Sequence, residues 1–151
     1  MKKLCLLTGA TGHLGSVLLS RLTACGARVR ALVLPEEAAF LPPEVPYTVG
    51  NVTYPDSLIP FFETDGYDTV TLIHCAAVVT IASRPHPGLW RINVGGTENV
   101  LRAAKRTGVA RMIYVSSVTC ATWRKGSFSV RSVAAPANAI SSAVNIPQSG
   151  I

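Results

Sequence analysis

The chain has 151 residues, 48% hydrophobic and 15% charged, a composition that builds one packed domain and leaves no room for a second of full size. Fourteen Lys and Arg against eight Asp and Glu give a formal charge of +6, but the sign alternates: residues 1–34 hold five bases and no acid, 35–68 seven acids and no base, and 69–151 nine bases and one acid. With no aromatic-interleaved basic cluster, this excludes a nucleic-acid arm and fits a phosphate-bearing small molecule.

In chain order, the run that opens at Lys3 and continues to Leu7 ends at Gly9 and predicts a first strand. Val17 to Leu22 follow with helical spacing up to Gly26. Arg28 to Leu34, stopped by Pro35, and Tyr47 to Val49, stopped by Gly50, predict two buried strands. Pro55-Asp56-Ser57 opens a short helix expected to run through Glu63, and Thr69 to His74 makes a fourth strand before Ala76-Ala77. Leu89 to Arg106 has helical periodicity and stops at Gly108; Arg111 to Val115 is the fifth strand. Apolar strands alternating with amphipathic helices predict an α/β fold, a doubly wound parallel sheet covered on both faces.

The same pass bounds the location and the chemistry. Nowhere do 18 apolar residues run together, and Gly9, Thr11, Gly12 and His13 break the run behind Lys2 and Lys3 too early for a signal-peptide core. A cytoplasmic protein with no membrane partner is expected. Cys5, Cys25, Cys75 and Cys120 form no CxxC and lie in apolar surroundings, so they are expected to be buried reduced thiols, with no metal site.

The most informative segment is Leu7-Thr8-Gly9-Ala10-Thr11-Gly12-His13-Leu14-Gly15, where the first strand turns into the first helix. Glycine there takes backbone angles other residues avoid, lets the main chain approach a pyrophosphate, and lets helix and strand pack closely. The free N–H groups and the positive end of the helix dipole then hold the phosphates.

On these residues the chain resembles the extended short-chain dehydrogenase/reductase superfamily, in its NAD(P)-dependent epimerase/dehydratase group, whose TGxxGxxG signature is Thr8 to Gly15. The dihydroflavonol-reductase-like branch is the nearest likeness. Gly50-Asn51-Val52-Thr53 is similar to the segment that contacts the adenine, with Asn51 in place of the usual Asp. Ile73-His74-Cys75-Ala76-Ala77 resembles the strand end beside the nicotinamide ribose, although His74 on its own reads as a satisfied core histidine. Asn93-Val94-Gly95-Gly96-Thr97-Glu98-Asn99 is similar to the helix that carries a structural Asn, here Asn93, and Tyr114-Val115-Ser116-Ser117 resembles the fifth-strand end, where Ser117 aligns with the catalytic Ser or Thr. The cofactor residues implied are Gly9, Thr11, Gly12, His13, Leu14, Gly15, Leu34, Asn51, Val52, Ala76, Ala77, Asn93 and Val115. The cofactor is NAD or NADP, and the choice stays open: Leu34, at the end of the second strand, is neither acid nor base, while Glu36, Arg28 and Arg30 are nearby.

The chemistry implied is hydride transfer on a small carbonyl or hydroxyl substrate, with a Tyr-x-x-x-Lys pair as acid/base. A free Tyr titrates near pKa ~10, so the Lys one turn away is needed to favour its ionised form. Tyr47, Tyr54, Tyr67 and Tyr114 are instead followed four residues later by Asn51, Leu58, Thr71 and Val118. Composition also breaks near residue 118: the first 117 residues contain 14 leucines, the last 34 no leucine and no acid. The expectation is an NAD(P)-binding domain over residues 1–117, truncated after the fifth strand and inactive alone, with 118–151 an atypical tail, frameshifted or poorly ordered. An uncovered strand edge would favour self-association or a homodimer. A non-catalytic dinucleotide-binding or sensor module, or a defective gene fragment, are the alternatives.

Overall fold

The structure, a computed structural model, describes residues 1–79, 87–115 and 142–144. Its centre is a six-stranded sheet in the order β3-β2-β1-β4-β5-β6: β1 Lys3–Thr8, β2 Val29–Val33, β3 Tyr47–Val49, β4 Thr69–His74, β5 Arg111–Tyr114 and β6 Ser142–Val144. The first five strands are parallel and in the expected places. Strand order reverses between β1 and β4, the position at which doubly wound sheets open a crevice at their strand ends. The sixth strand is antiparallel to β5, with Ile113 opposite Ala143. It lies within the tail expected to fall outside the fold.

Alternation along each strand divides the core in two. Leu4, Leu6, Leu32, Val70, Leu72 and Met112 face one way, under Val100 and Ala104 of helix α3 (Thr97–Arg106) and the buried Leu58, Phe61 and Phe62. Leu7, Val29, Ala31, Val33 and Ile73 face the other way, under Leu19 of helix α1 (His13–Ala24) and Val45. Helix α1 starts directly after Gly12 and ends before Gly26, whose φ of +73° closes the last turn.

Three expectations are corrected. The helix predicted from Pro55 through Glu63 is two 3₁₀ turns, Pro55–Leu58 and Pro60–Phe62, because Pro60 cannot donate the N–H that would carry one helix onward. The helix predicted over Leu89 to Arg106 is a short α2 (Pro87–Trp90), a π turn over Arg91–Gly96, and α3. Its spacing reads as continuous because a π turn slips the register by only one residue. Cys25, expected to be buried, caps α1 and is exposed, whereas Cys5 and Cys75 are half-buried. Cys120 lies outside the described residues.

Candidate functional site

The crevice is built from the turn that follows β1. Gly9 has φ +69°, a left-handed conformation that costs glycine no Cβ clash. A Cβ on Gly9 would lie 2.7 Å from the nitrogen of Ala76, on the loop after β4. One on Gly15 would lie 1.8 Å from the Gly9 carbonyl oxygen, so helix and turn meet backbone to backbone. Gly12 is the extended residue before α1, its N–H donating to the Gly9 carbonyl at 3.1 Å and its carbonyl accepting from Ser16 N–H at 2.9 Å. The N–H groups of His13, Leu14 and Gly15 thus precede the first intrahelical bond, no side chain caps them, and no acid sits in that turn. Gly12, His13 and Leu14 are exposed and Thr11 is half-buried. Bare donors at the positive end of a helix form an anion cradle.

Behind the turn lies a polar chain, buried at Thr8 and His74 and half-buried at Thr97. Thr8 Oγ1 is 2.6 Å from His74 Nδ1, and His74 Nε2 is 3.0 Å from Thr97 Oγ1. Thr97 donates its hydroxyl hydrogen to the Asn93 carbonyl at 2.7 Å, so it accepts from His74 Nε2–H. Nδ1 is then the bare nitrogen and accepts from Thr8, whose oxygen accepts in turn from the N–H groups of Cys75 and Ala76, each at 3.2 Å. Only this tautomer satisfies every group. Burial lowers the His74 pKa from 6.5 to about 4, which keeps the ring neutral, and Tyr114 stacks on it at 5.7 Å. His74 is the satisfied core histidine its sequence context implies. Its link to the glycine turn had one sequence signal: an imidazole ending an otherwise apolar buried strand must find partners.

The remaining residues line the rim. Asn93 clamps the loop after β4, its Oδ1 accepting from Val78 N–H and its Nδ2 donating to the Val78 carbonyl, both at 2.8 Å. That is the structural role the resemblance implies. Asn51 Oδ1 accepts from the N–H and the hydroxyl of Thr53, at 2.9 and 2.8 Å, while its amide nitrogen has no partner among the described residues. The Val52 side chain is buried beneath Gly96, and its carbonyl accepts from Asn99 Nδ2 at 3.0 Å, so it presents no side chain to a ligand. Leu34 follows β2 half-buried, Ala76 is half-buried and Ala77 exposed beside the glycine turn, and Val115 N–H is held by the His74 carbonyl at 3.0 Å. Ser117 lies outside the described residues.

Burial pushes the thiols of Cys5 and Cys75 up to about 11, so neither is a ready nucleophile. Among the described residues no group of three or more His, Cys, Asp or Glu could hold a metal ion, and no helix is long and apolar enough to cross a membrane.

The NAD dependent epimerase/dehydratase family profile matches residues 5–136. A ketoreductase of 4-hydroxy-2-methyl-3-oxo-4-farnesyl-3,4-dihydroquinoline-1-oxide from Stigmatella aurantiaca is 37% identical over 112 residues, which cover 73% of this chain and 32% of the relative. A putative dihydroflavonol 4-reductase from Synechocystis is 34% identical over 115 residues, 74% of this chain and 32% of the relative. The solved UDP-glucose 4-epimerase of Thermus thermophilus in complex with NAD is 25% identical with a TM-score of 0.63, over 72% of this chain and 36% of that one. The chain spans about a third of the length of the curated relatives it matches. It belongs to the NAD-dependent epimerase/dehydratase family, within the short-chain dehydrogenases/reductases, and corresponds to their N-terminal, Rossmann-type part.

Proposed function

We propose that residues 1–117 are the NAD(P)-binding part of an extended short-chain dehydrogenase/reductase whose whole protein reduces, epimerises or dehydrates a small carbonyl or hydroxyl substrate. The observation that carries this is the glycine turn: Cβ atoms at Gly9 and Gly15 would strike backbone, and the donors of His13, Leu14 and Gly15 are left uncapped. That cradle fits a pyrophosphate, which the main chain from Gly12 to Gly15 binds. Leu34 and Asn51 flank the adenosine, and Ala76, Ala77 and Val115 the nicotinamide end. When bound, the cofactor supplies a ring that takes or gives a hydride. Ser117 orients the substrate oxygen, by its match to the family motif.

No Tyr in these 151 residues is followed by Lys at the fourth position, so the chain binds cofactor without turnover of its own. The same fact favours a second reading, a dinucleotide-binding module without catalysis. Titration of the 151-residue chain with NADH, read by nicotinamide fluorescence, tests the shared core of both. Saturable binding that is lost in Gly12→Asp, which puts a carboxylate before the helix N-terminus, is expected. No binding by the folded wild-type chain overturns the proposal.

A further inference from the structure

The edge of the sheet where the strands begin, opposite the crevice, carries a cleft of about 280 Å³. It lies between the loop that leads from α1 into β2 and the turn that leads into β3. Leu4, Val29 and Val45 floor it with buried apolar side chains, and Pro46 and the half-buried Tyr67 flank them. Backbone bonds hold both walls. Gly26 N–H donates to the Thr23 carbonyl and Ala27 N–H to the Leu22 carbonyl, each at 2.9 Å. Across the cleft, Val45 N–H donates to the Pro42 carbonyl at 3.0 Å, and the Pro46 carbonyl accepts from Ala31 N–H at 2.9 Å.

The polar side chains that line the cleft divide in two. Thr23 and Arg30 are spent on the framework: the Thr23 hydroxyl on the Leu19 and Ser20 carbonyls, at 2.9 and 3.0 Å, and Arg30 Nη1 on the Phe61 and Glu63 carbonyls, at 3.2 and 2.6 Å. The side chains of Arg28 and Glu44 and the Tyr67 hydroxyl have no ion pair or hydrogen bond among the described residues. Arg28 and Glu44 are both exposed, one on each wall. Opposite charges that line one cleft without meeting each other offer a place for an anion beside a place for a cation. A ligand bearing only a negative charge would face Glu44, and one bearing only a positive charge would face Arg28 and Arg30, so each is penalised. An apolar floor with a few polar groups at its rim suits a small molecule that carries both charges on an apolar body.

We propose that this cleft binds a small zwitterion with an apolar body, the chemistry of an apolar α-amino acid, with Arg28 taking the carboxylate and Glu44 the ammonium. The site lies at the other end of the strands from the glycine turn and does not depend on the dinucleotide-binding reading. Its test is titration of the 151-residue chain with L-phenylalanine, followed by the amide resonances of Val29, Val45 and Tyr67 in two-dimensional NMR. Saturable shifts at those residues are expected. 3-Phenylpropanoate, which lacks the ammonium, and phenethylamine, which lacks the carboxylate, should each bind at least about tenfold more weakly, the loss of one charge-assisted contact. Arg28→Gln and Glu44→Gln should each weaken phenylalanine binding by about tenfold while leaving the thermal melt unchanged, since both side chains are exposed and make no other contact of this kind. No saturable shift in the folded wild-type chain overturns the proposal, as do shifts centred on Gly9 to Gly15 instead of the cleft. Equal affinity for either singly charged analogue overturns the zwitterion assignment, and an affinity unchanged in either variant overturns the role given to that residue.

Discussion

His74 shows what one neutral ring contributes. Its pKa of about 4 in the fold lies below the ordinary 6.5, so between those values the unfolded chain binds a proton that the folded one does not. Acid therefore favours unfolding across that window: this contribution to stability is complete above about pH 6.5 and lost as pH falls through 4. A shift of that size corresponds to on the order of 3 kcal/mol. The expected outcome is a urea midpoint that rises steeply from pH 4 to 6.5 and then levels. His74→Leu should flatten the rise and, by leaving Thr8 and Thr97 without their ring partner, cost about 1–3 kcal/mol at neutral pH. A wild-type midpoint that stays flat over the window would show that the ring is charged in the fold.

At the scale of elements, the π turn and α3 act as a clasp. Over a few residues they hold the loop after β4 through Asn93, the end of β4 through Thr97, and the loop after β3 through Gly96 and Asn99. A Cβ on Gly96 would lie 2.6 Å from Val52 Cγ2, a stiff, buried side chain with little room to yield. Gly96→Val should therefore cost about 1–3 kcal/mol by overpacking, and Asn99→Ala about 1 kcal/mol through one lost hydrogen bond. Both substitutions act on the Val52 loop, so the double variant should fall short of the sum of the singles, by an amount a denaturation cycle reads directly.

The clasp also marks where sequence reading stops. Apolar runs such as Leu4–Leu7 and Thr69–His74 announce their strands because a parallel strand buried on both faces has only one way to look. The turn at Gly9 is equally legible, since glycine at that spacing between strand and helix has a single geometric use. Contacts between residues far apart in the chain leave no such mark. Thr8 and His74 are 66 positions apart, and nothing local at Arg30 says that its guanidinium is spent on the carbonyls of Phe61 and Glu63. The short helix predicted at Pro55 fails for the opposite reason, a local one: Pro60 stands in plain view and lacks the N–H that one continuous helix would need there, so two 3₁₀ turns form, with Leu58, Phe61 and Phe62 buried under the sheet.

For the whole molecule, the glycine turn is where three strands depend on one another. Gly9 rests on the loop after β4, Gly15 ties α1 to that turn, and β1 pairs with both β2 and β4. A dinucleotide seated there, as proposed, would contact elements from both sides of the strand-order reversal, so its binding energy would add to the stability of the sheet rather than to one loop. A ligand that binds only the folded chain raises stability by about 2.7 kcal/mol at a hundred times its Kd, or ~5–10 °C in Tm for a chain of this size. A calorimetric scan of the 151-residue chain with and without NADH should show that rise, as one transition moving as a whole. Gly9→Ala should lower the unliganded Tm and also remove most of the ligand-induced rise, because the strain it introduces sits where β1 meets the β4 loop, beside the proposed cofactor site. A rise retained in full by that variant would place the ligand elsewhere on the protein. A saturating ligand that left the wild-type Tm unchanged would show that it binds without any preference for the folded sheet.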